Sequence, residues 1–264
     1  MQDLAGKVAV VTGGGHGIGS GICRSLAAAG MRVAVADIDL PAAETVAASL
    51  REQGGKSIAV RVDVSDRDSV RQLALTTQRE LGGVHVVCNN AGVLVGGAMS
   101  EITEADWQWL LSVNLMGVVH GSQRFAPILA EQGEGHIVNT ASVGGFLAYP
   151  QMAIYCTTKF AVIGFSDALR QELAAKKVGV SILCPGKVRT NLAEADRLRP
   201  IGLGRAGGSS QVLSGEMEGG MDPKLVGDCV VRGIHADASY IFTHPEFRER
   251  LRAHFDGILA GFDH

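Results

Sequence analysis

The sequence predicts an α/β protein: one doubly wound parallel sheet of about seven strands, with helices on both faces. Short β-branched runs recur along the chain, the first being Lys7-Val-Ala-Val-Val-Thr12, and they are continuously apolar, as strands buried on both faces are. Each run leads into a segment with apolar residues at helical spacing. Such connections are too long for hairpins and join parallel strands as right-handed crossovers. A glycine cluster stands between the first run and the first helix, where a tight turn needs glycine's backbone freedom.

The first strand, 7–12, runs into Gly13-Gly-Gly-His-Gly17-Ile-Gly19. A helix over 20–30 follows, with Ile22, Cys23 and Leu26 on one face and Gly30 as its stop. A strand at 31–37 precedes an alanine-rich helix, 40–53, with Pro41 near its start. The strand 57–63 leads into the helix 66–81, and 84–88 is the fourth strand. A helical region, 103–132, is expected to break near Asn114–Gly117. Strand 136–141, a helix over 150–177 with Pro150 in its first turn, and strand 178–184 follow. Over 186–221 the pattern weakens into a glycine- and serine-rich loop with one short helix; loops of that length often close over sites. A helix at 222–235, a short strand at 239–243 and an amphipathic helix at 245–262 complete the chain. Neither linker nor repeat interrupts residues 1–264, which read as one domain.

Hydrophobic residues make up 46% and charged residues 19%, an ordinary globular balance. The net charge is −3 and no long like-charge run occurs, so nucleic acid is not an expected partner. Cys23, Cys88, Cys156, Cys184 and Cys229 form no Cys-x-x-Cys pair and fit reduced, mostly buried thiols; no metal site is expected. The start lacks the pattern of a signal peptide, and no uncharged apolar run reaches the ~18 residues of a spanning helix. A cytoplasmic protein without a membrane partner is expected.

Glycine after a first strand lets phosphates approach the N–H groups opening the next helix, the logic of a Rossmann-type nucleotide fold. The spacing here is Gly-x-x-x-Gly-x-Gly. Asp37, eighteen residues beyond Gly19 at the end of the second strand, can accept hydrogen bonds from ribose hydroxyls and would repel a 2′-phosphate. His16 could lean towards the same ribose. With no Arg or Lys at 38 or 39, the pattern argues for NAD over NADP; Asp39 is an equally good helix cap. Farther on, Tyr155 and Lys159 stand i, i+4 on one helical face, and a cation beside a phenol favours the phenolate. An amphipathic pair with snorkelling tips would have the same spacing.

With Thr12-Gly13-x-x-x-Gly17-x-Gly19, Asn89-Asn90-Ala91-Gly92, Ser142 and Tyr155-x-x-x-Lys159 in that order, the chain resembles the single-domain short-chain dehydrogenase/reductases over about residues 5–195. That resemblance implies one dinucleotide-binding and catalytic domain, a substrate loop at about 187–221, and an enzyme acting on CH–OH groups. It implies Asn114, Ser142, Tyr155 and Lys159 as the catalytic set, with Tyr155 as general acid/base. Cofactor contacts would come from Thr12, Gly13, Gly17, Ile18, Gly19, Asp37, Asp63, Val64, Asn90, Ala91, Gly92, Tyr155 and Lys159. The Pro185-Gly186-x-Val188-x-Thr190 segment would meet the nicotinamide. It also implies a homotetramer (or homodimer) built on the 103–132 and 150–177 helices.

Candidate substrate contacts are Ser142, Phe146, Tyr149 and Lys187, with Val93, Leu94, Val143, Leu192 and parts of 196–220 around them. Their apolar character favours a hydrophobic or aromatic secondary alcohol or ketone, while Lys187 could clamp an anionic group or face solvent. The 190–200 segment and His244-Pro-Glu-Phe-Arg-Glu-Arg are similar to bacterial aryl-alcohol Cα-dehydrogenases acting on lignin-derived ethers. Hydroxysteroid or 3-oxoacyl-type reductases, and a non-catalytic NAD-sensing or scaffold protein, are the alternatives.

Overall fold

Seven strands form one sheet: β1 (Val8–Thr12), β2 (Arg32–Asp37), β3 (Ser57–Arg61), β4 (Val86–Asn89), β5 (Gly135–Thr140), β6 (Val178–Cys184) and β7 (Tyr240–Phe242). The computed structural model describes residues 1–204, 206–213 and 219–263. The strand order is β3-β2-β1-β4-β5-β6-β7, and every neighbouring pair is parallel. Chain order reverses between β1 and β4, so a crevice opens at the carboxyl ends of these two strands, the place where open α/β sheets bind ligands.

The helices are α1 (Gly17–Ala28), α2 (Leu40–Glu52), α3 (Arg67–Leu81), α4 (Glu104–Leu110), α5 (Gly117–Gln132), α6 (Ala153–Ala174), α7 (Pro223–His235) and α8 (Arg248–Leu259). Alternation along β1 divides the core. Ala9 and Val11 pack with Ile22, Leu26, Val46, Leu50, Val226 and Val230 from α1, α2 and α7. Val8 and Val10 pack with Leu73, Phe125, Leu129 and Leu173 from α3, α5 and α6 on the other face. Both faces of β1 are fully buried, and each side chain of this size contributes roughly 1.5–3 kcal/mol when taken from water. Among the described residues no helix is long and apolar enough to cross a membrane.

Four local features depart from the sequence reading. The break expected near Asn114–Gly117 is a π-helical turn, Leu111–Met116, joining α4 to α5 without leaving helical conformation. One widened turn accommodates an extra residue and turns the Asn114 side chain inward, a device found often at functional sites. Pro150 lies outside the helix it was expected to open. Gln151 has φ +61°, which no right-handed helix admits, so α6 starts only at Ala153. The terminal helix α8 buries none of its own residues, with Phe255, Ile258 and Leu259 exposed. The expected loop folds as three short 3-10 turns, Asn191–Leu198, Ile201–Leu203 and Ser210–Leu213. Arg205 and 214–218, also in that loop, are outside the described residues.

Candidate active site

A cavity of about 340 Å³ opens at the reversal of strand order. Its floor is the glycine turn after β1. Gly19 has no room for a side chain, because a Cβ there would lie 1.9 Å from the Gly13 carbonyl oxygen. Thr12 Oγ1 accepts from the N–H groups of Asn90 (3.0 Å) and Ala91 (3.2 Å), and Asn90 Nδ2 donates to the Thr12 carbonyl (3.0 Å). The ends of β1 and β4 are thereby fastened to each other. Among the described residues no side chain caps α1, which leaves N–H groups of its first turn for a phosphate. This geometry fits a dinucleotide.

At the end of β2, Asp37 is only 7% exposed. Its Oδ2 accepts from Gly15 N (2.9 Å) and its Oδ1 from Asp39 N (3.0 Å). Asp39 takes the capping role, accepting from Ala42 N, so Asp37 is the acid that faces the cavity. Asp63 is shaped by Ser65, whose N–H and hydroxyl donate to Oδ1 at 2.9 and 2.6 Å, and it lines the cavity with Val64.

The Tyr155 and Lys159 side chains form the inner wall. Lys159 is 4% exposed, donates from Nζ to the Thr140 carbonyl at 3.0 Å, and lies 5.6 Å from the centroid of the Tyr155 ring. Burial lowers Lys159 to about 8 and raises Tyr155 to about 12, with the Ser142 hydroxyl pulling the phenol the other way. The sequence alone suggested that the lysine would bring the phenol down. Desolvation raises the phenol instead, and the ammonium is turned onto a backbone carbonyl.

Ser142 and Asn114 stand just behind the wall. Ser142 Oγ accepts from Gly144 N (3.0 Å); a Cβ placed on Gly144 would meet Ser142 Oγ at 3.4 Å and Tyr155 Cε1 at 3.6 Å, so the two side chains converge there. Asn114 grips the backbone of Val93 in both directions, accepting at 2.8 Å and donating at 2.9 Å, and donates to Thr158 Oγ1 at 3.3 Å. A Cβ on Gly92 would lie 3.4 Å from Asn114 Oδ1 and 3.7 Å from Lys159 Nζ. The four side chains singled out from sequence therefore meet at one end of the cavity.

Opposite the glycine turn the walls are apolar: Val93, Trp109, Val113, Leu192, Leu198 and Leu203. The loop after β6 forms the roof and is held by two arginines. Arg199 Nη1 donates to Asp106 Oδ1 at 2.6 Å, and its guanidinium lies 5.4 Å from the Trp109 ring. Asp106 is fully buried. Burial would raise it, but hydrogen bonds from Thr103, Gly207 N and Arg199 prevail and hold it below the usual carboxylate range. Arg197 reaches the opposite rim, where Nη1 is 3.5 Å from Asp39 Oδ2 and His16 Nε2 is 3.3 Å from the same oxygen.

Of the residues proposed for the cofactor, Gly13, Gly17, Ile18, Gly19, Asp37, Asp63, Val64, Asn90, Ala91, Gly92, Tyr155, Lys159, Pro185 and Thr190 line the cavity. Thr12 lies beneath it, and Gly186 and Val188 stand behind Pro185. Among the substrate candidates, Tyr149 packs with Leu94, Met152, Tyr155 and Leu192. Phe146 points away, into a cluster with Tyr240, Phe242 and Phe255. Lys187 is exposed. None of Ser142, Tyr149, Phe146 and Lys187 is among the residues lining the cavity; Phe146 lies in its aromatic cluster and Lys187 on the solvent side. Trp109 and Thr140 were not anticipated, whereas Arg197 falls in the 196–220 stretch expected around the substrate. Thr140 contributes a carbonyl, which no side-chain pattern reveals, whereas Trp109, four residues before Val113, carried a helical-spacing signal.

A family profile described as short chain dehydrogenase matches residues 7–200. A C alpha-dehydrogenase of Sphingobium sp. strain SYK-6 is 33% identical over 266 residues, covering 98% of this chain and 87% of the relative. The crystal structure of a short-chain dehydrogenase/reductase from Burkholderia phymatum in complex with NAD superposes with a TM-score of 0.93 at 37% identity, covering 99% of this chain and 97% of that one. The apo form of LigO from Sphingobium sp. strain SYK-6 has a TM-score of 0.85 at 34% identity, covering 99% and 91%. Sequence, sheet order and site geometry agree, and the chain belongs to the short-chain dehydrogenase family of oxidoreductases acting on CH–OH groups.

Proposed function

We propose that this protein transfers hydride between NAD(H) and a hydrophobic or aromatic secondary alcohol or ketone, with residues 1–264 working as one catalytic unit. The observation that carries this reading is the single cavity in which the Tyr155 and Lys159 pair lies between a phosphate-ready glycine turn and an apolar wall with Trp109. The relative from Sphingobium, by its name a C alpha-dehydrogenase, supports the same substrate class.

The cofactor, when bound, supplies the hydride acceptor or donor. In oxidation, Ser142 and Tyr155 hold the substrate hydroxyl, and Tyr155, ionised to the phenolate, takes its proton as the C–H hydride departs. In reduction, Tyr155 returns that proton to the carbonyl oxygen, a role suited to a phenol that burial keeps protonated. Lys159, anchored on Thr140, orients the ribose and completes the proton path; Asn114 fixes Val93 and the helix that carries the apolar wall. Asp37 favours NAD, because a 2′-phosphate beside it would meet a carboxylate already holding Gly15 and Asp39.

Assembly as a homotetramer or homodimer, and residence in the cytoplasm, belong to the same reading. Phe160 on α6 and Met116 before α5 are exposed apolar residues available for association, whereas Leu110 and Val118 are core. Profiling secondary alcohols with NAD and NADP by NADH or NADPH formation tests the proposal. Aromatic alcohols with NAD should turn over best, and Tyr155→Phe should lower kcat by about 10³-fold or more while NADH still binds. Full turnover by that variant, or tight NADH binding with no turnover of any alcohol by the wild type, would overturn it. The second outcome would favour a sensor.

A further inference from the structure

We propose that His244 is a positioning residue for hydride transfer, holding the 185–187 turn at the nicotinamide end of the cavity as a neutral imidazole protonated on Nε2. The proposal rests on the reading of Ser142 and the 185–190 segment given above.

His244 follows β7 and is 7% exposed. Its Nδ1 lies 3.1 Å from Gly186 N and its Nε2 2.9 Å from the Lys187 carbonyl. A backbone N–H only donates and a carbonyl only accepts, so Nδ1 carries a lone pair and Nε2 carries the proton. Thr243 Oγ1, 2.7 Å from Nδ1, adds a second donor to the same lone pair. The imidazole also packs tightly on the turn. A Cβ on Gly186 would lie 2.8 Å from His244 Cγ and from Phe247 Cε2, so glycine is needed for this approach.

From there the contacts lead to the reacting groups. The Pro185 carbonyl accepts from Val143 N at 3.0 Å and from Ser142 Oγ at 3.4 Å. The Lys187 carbonyl also accepts from Met221 N at 2.9 Å, which ties in the far end of the substrate loop. Pro185 lines the cavity. One imidazole thus sets the turn against which both the nicotinamide and Ser142 are placed. His244 itself is not among the residues lining the cavity, which makes it a support for those groups, not a participant in the chemistry.

The test compares the wild type, His244→Phe, which keeps a ring of similar size but loses both hydrogen bonds, and His244→Asn, whose Oδ1 can accept from Gly186 N. Long-range ¹H–¹⁵N spectra, assigned by difference against His244→Asn, should show His244 protonated on Nε2 alone in the cofactor-free protein. His244→Phe should lower kcat about 10- to 100-fold, the scale of a small misplacement of reacting groups, with alcohol KM changed less than threefold (~0.7 kcal/mol). His244→Asn should regain most of the loss. An Nδ1–H tautomer, or a folded His244→Phe with wild-type kcat, overturns the proposal. If His244→Phe does not fold, the tautomer and the kcat of His244→Asn still decide. A wild type inactive towards every alcohol would instead sink the underlying reading, so the two failures are separable.

Discussion

Tyr155 and Lys159 are driven in opposite directions by one cause: each loses water around its charged form. The consequence can be measured. In the cofactor-free protein, the tyrosinate absorbance that distinguishes wild type from Tyr155→Phe should appear only near pH 12. Adding NAD⁺ places a cationic ring in the cavity and should shift that titration downwards by at least about one unit. An unshifted titration in saturated enzyme would mean that Tyr155 does not feel the nicotinamide. Lys159 is already desolvated and held by Thr140, so a Lys159→Met variant should keep the high Tyr155 value without cofactor.

At the scale of elements, the roof over the cavity depends on a buried ion pair. Asp106 sits in a reciprocal capping box with Thr103 at the start of α4 and also receives Arg199 and the N–H groups of Gly207 and Gly208. Among the described residues, Nε and Nη2 of Arg199 are buried without partners, so the pair is one-sided. Arg199→Met removes the guanidinium from both Asp106 and the Trp109 ring and leaves the buried carboxylate short of its cation, a loss of up to about 3–5 kcal/mol. Because the roof can open without unfolding the sheet, we expect that loss as local opening. Hydrogen exchange over 191–203 should quicken and alcohol KM should rise about tenfold, equivalent to ~1.4 kcal/mol, with NADH affinity little changed. Unaltered exchange in that segment would refute this account of the roof.

For the whole molecule, the two ends of the sheet have different duties. The carboxyl ends hold the cavity, while the opposite end carries His136 of β5, whose Nε2 is 2.8 Å from Ser181 Oγ and which is 1% exposed. Burial lowers His136 to about 4 from 6.5, against the pull of Asp237. The unfolded chain takes up this proton near pH 6.5 and the folded chain only near 4. Stability present above 6.5 is therefore lost as pH falls between those values, by up to about 3 kcal/mol. Thermal unfolding at about pH 7 and about pH 4.5 should show this slope in the wild type and a flatter one in His136→Gln. Equal slopes would assign the acid sensitivity to other groups.

The alternation of apolar runs with helical spacing, the glycines from Gly13 to Gly19, and the order of Asp37, Asn114, Ser142, Tyr155 and Lys159 were enough to determine the doubly wound sheet and the side chains that come together at its cavity. These features were legible because local backbone demands and period-based burial leave marks on neighbouring residues. Sequence assigned Asp37 the ribose role but left Asp37 and Asp39 equal as helix caps; the Ala42 and Gly15 hydrogen bonds separate those two jobs. Tertiary structure alone decided that Phe146 and Lys187 face away from the cavity, that Trp109 and the Arg197 and Arg199 roof enclose it, and that desolvation governs the Tyr155 phenol. Each of these depends on contacts between residues distant in the chain, and on the water those contacts exclude. The Tyr-x-x-x-Lys spacing specifies which groups meet; their burial specifies the protonation state in which they do so.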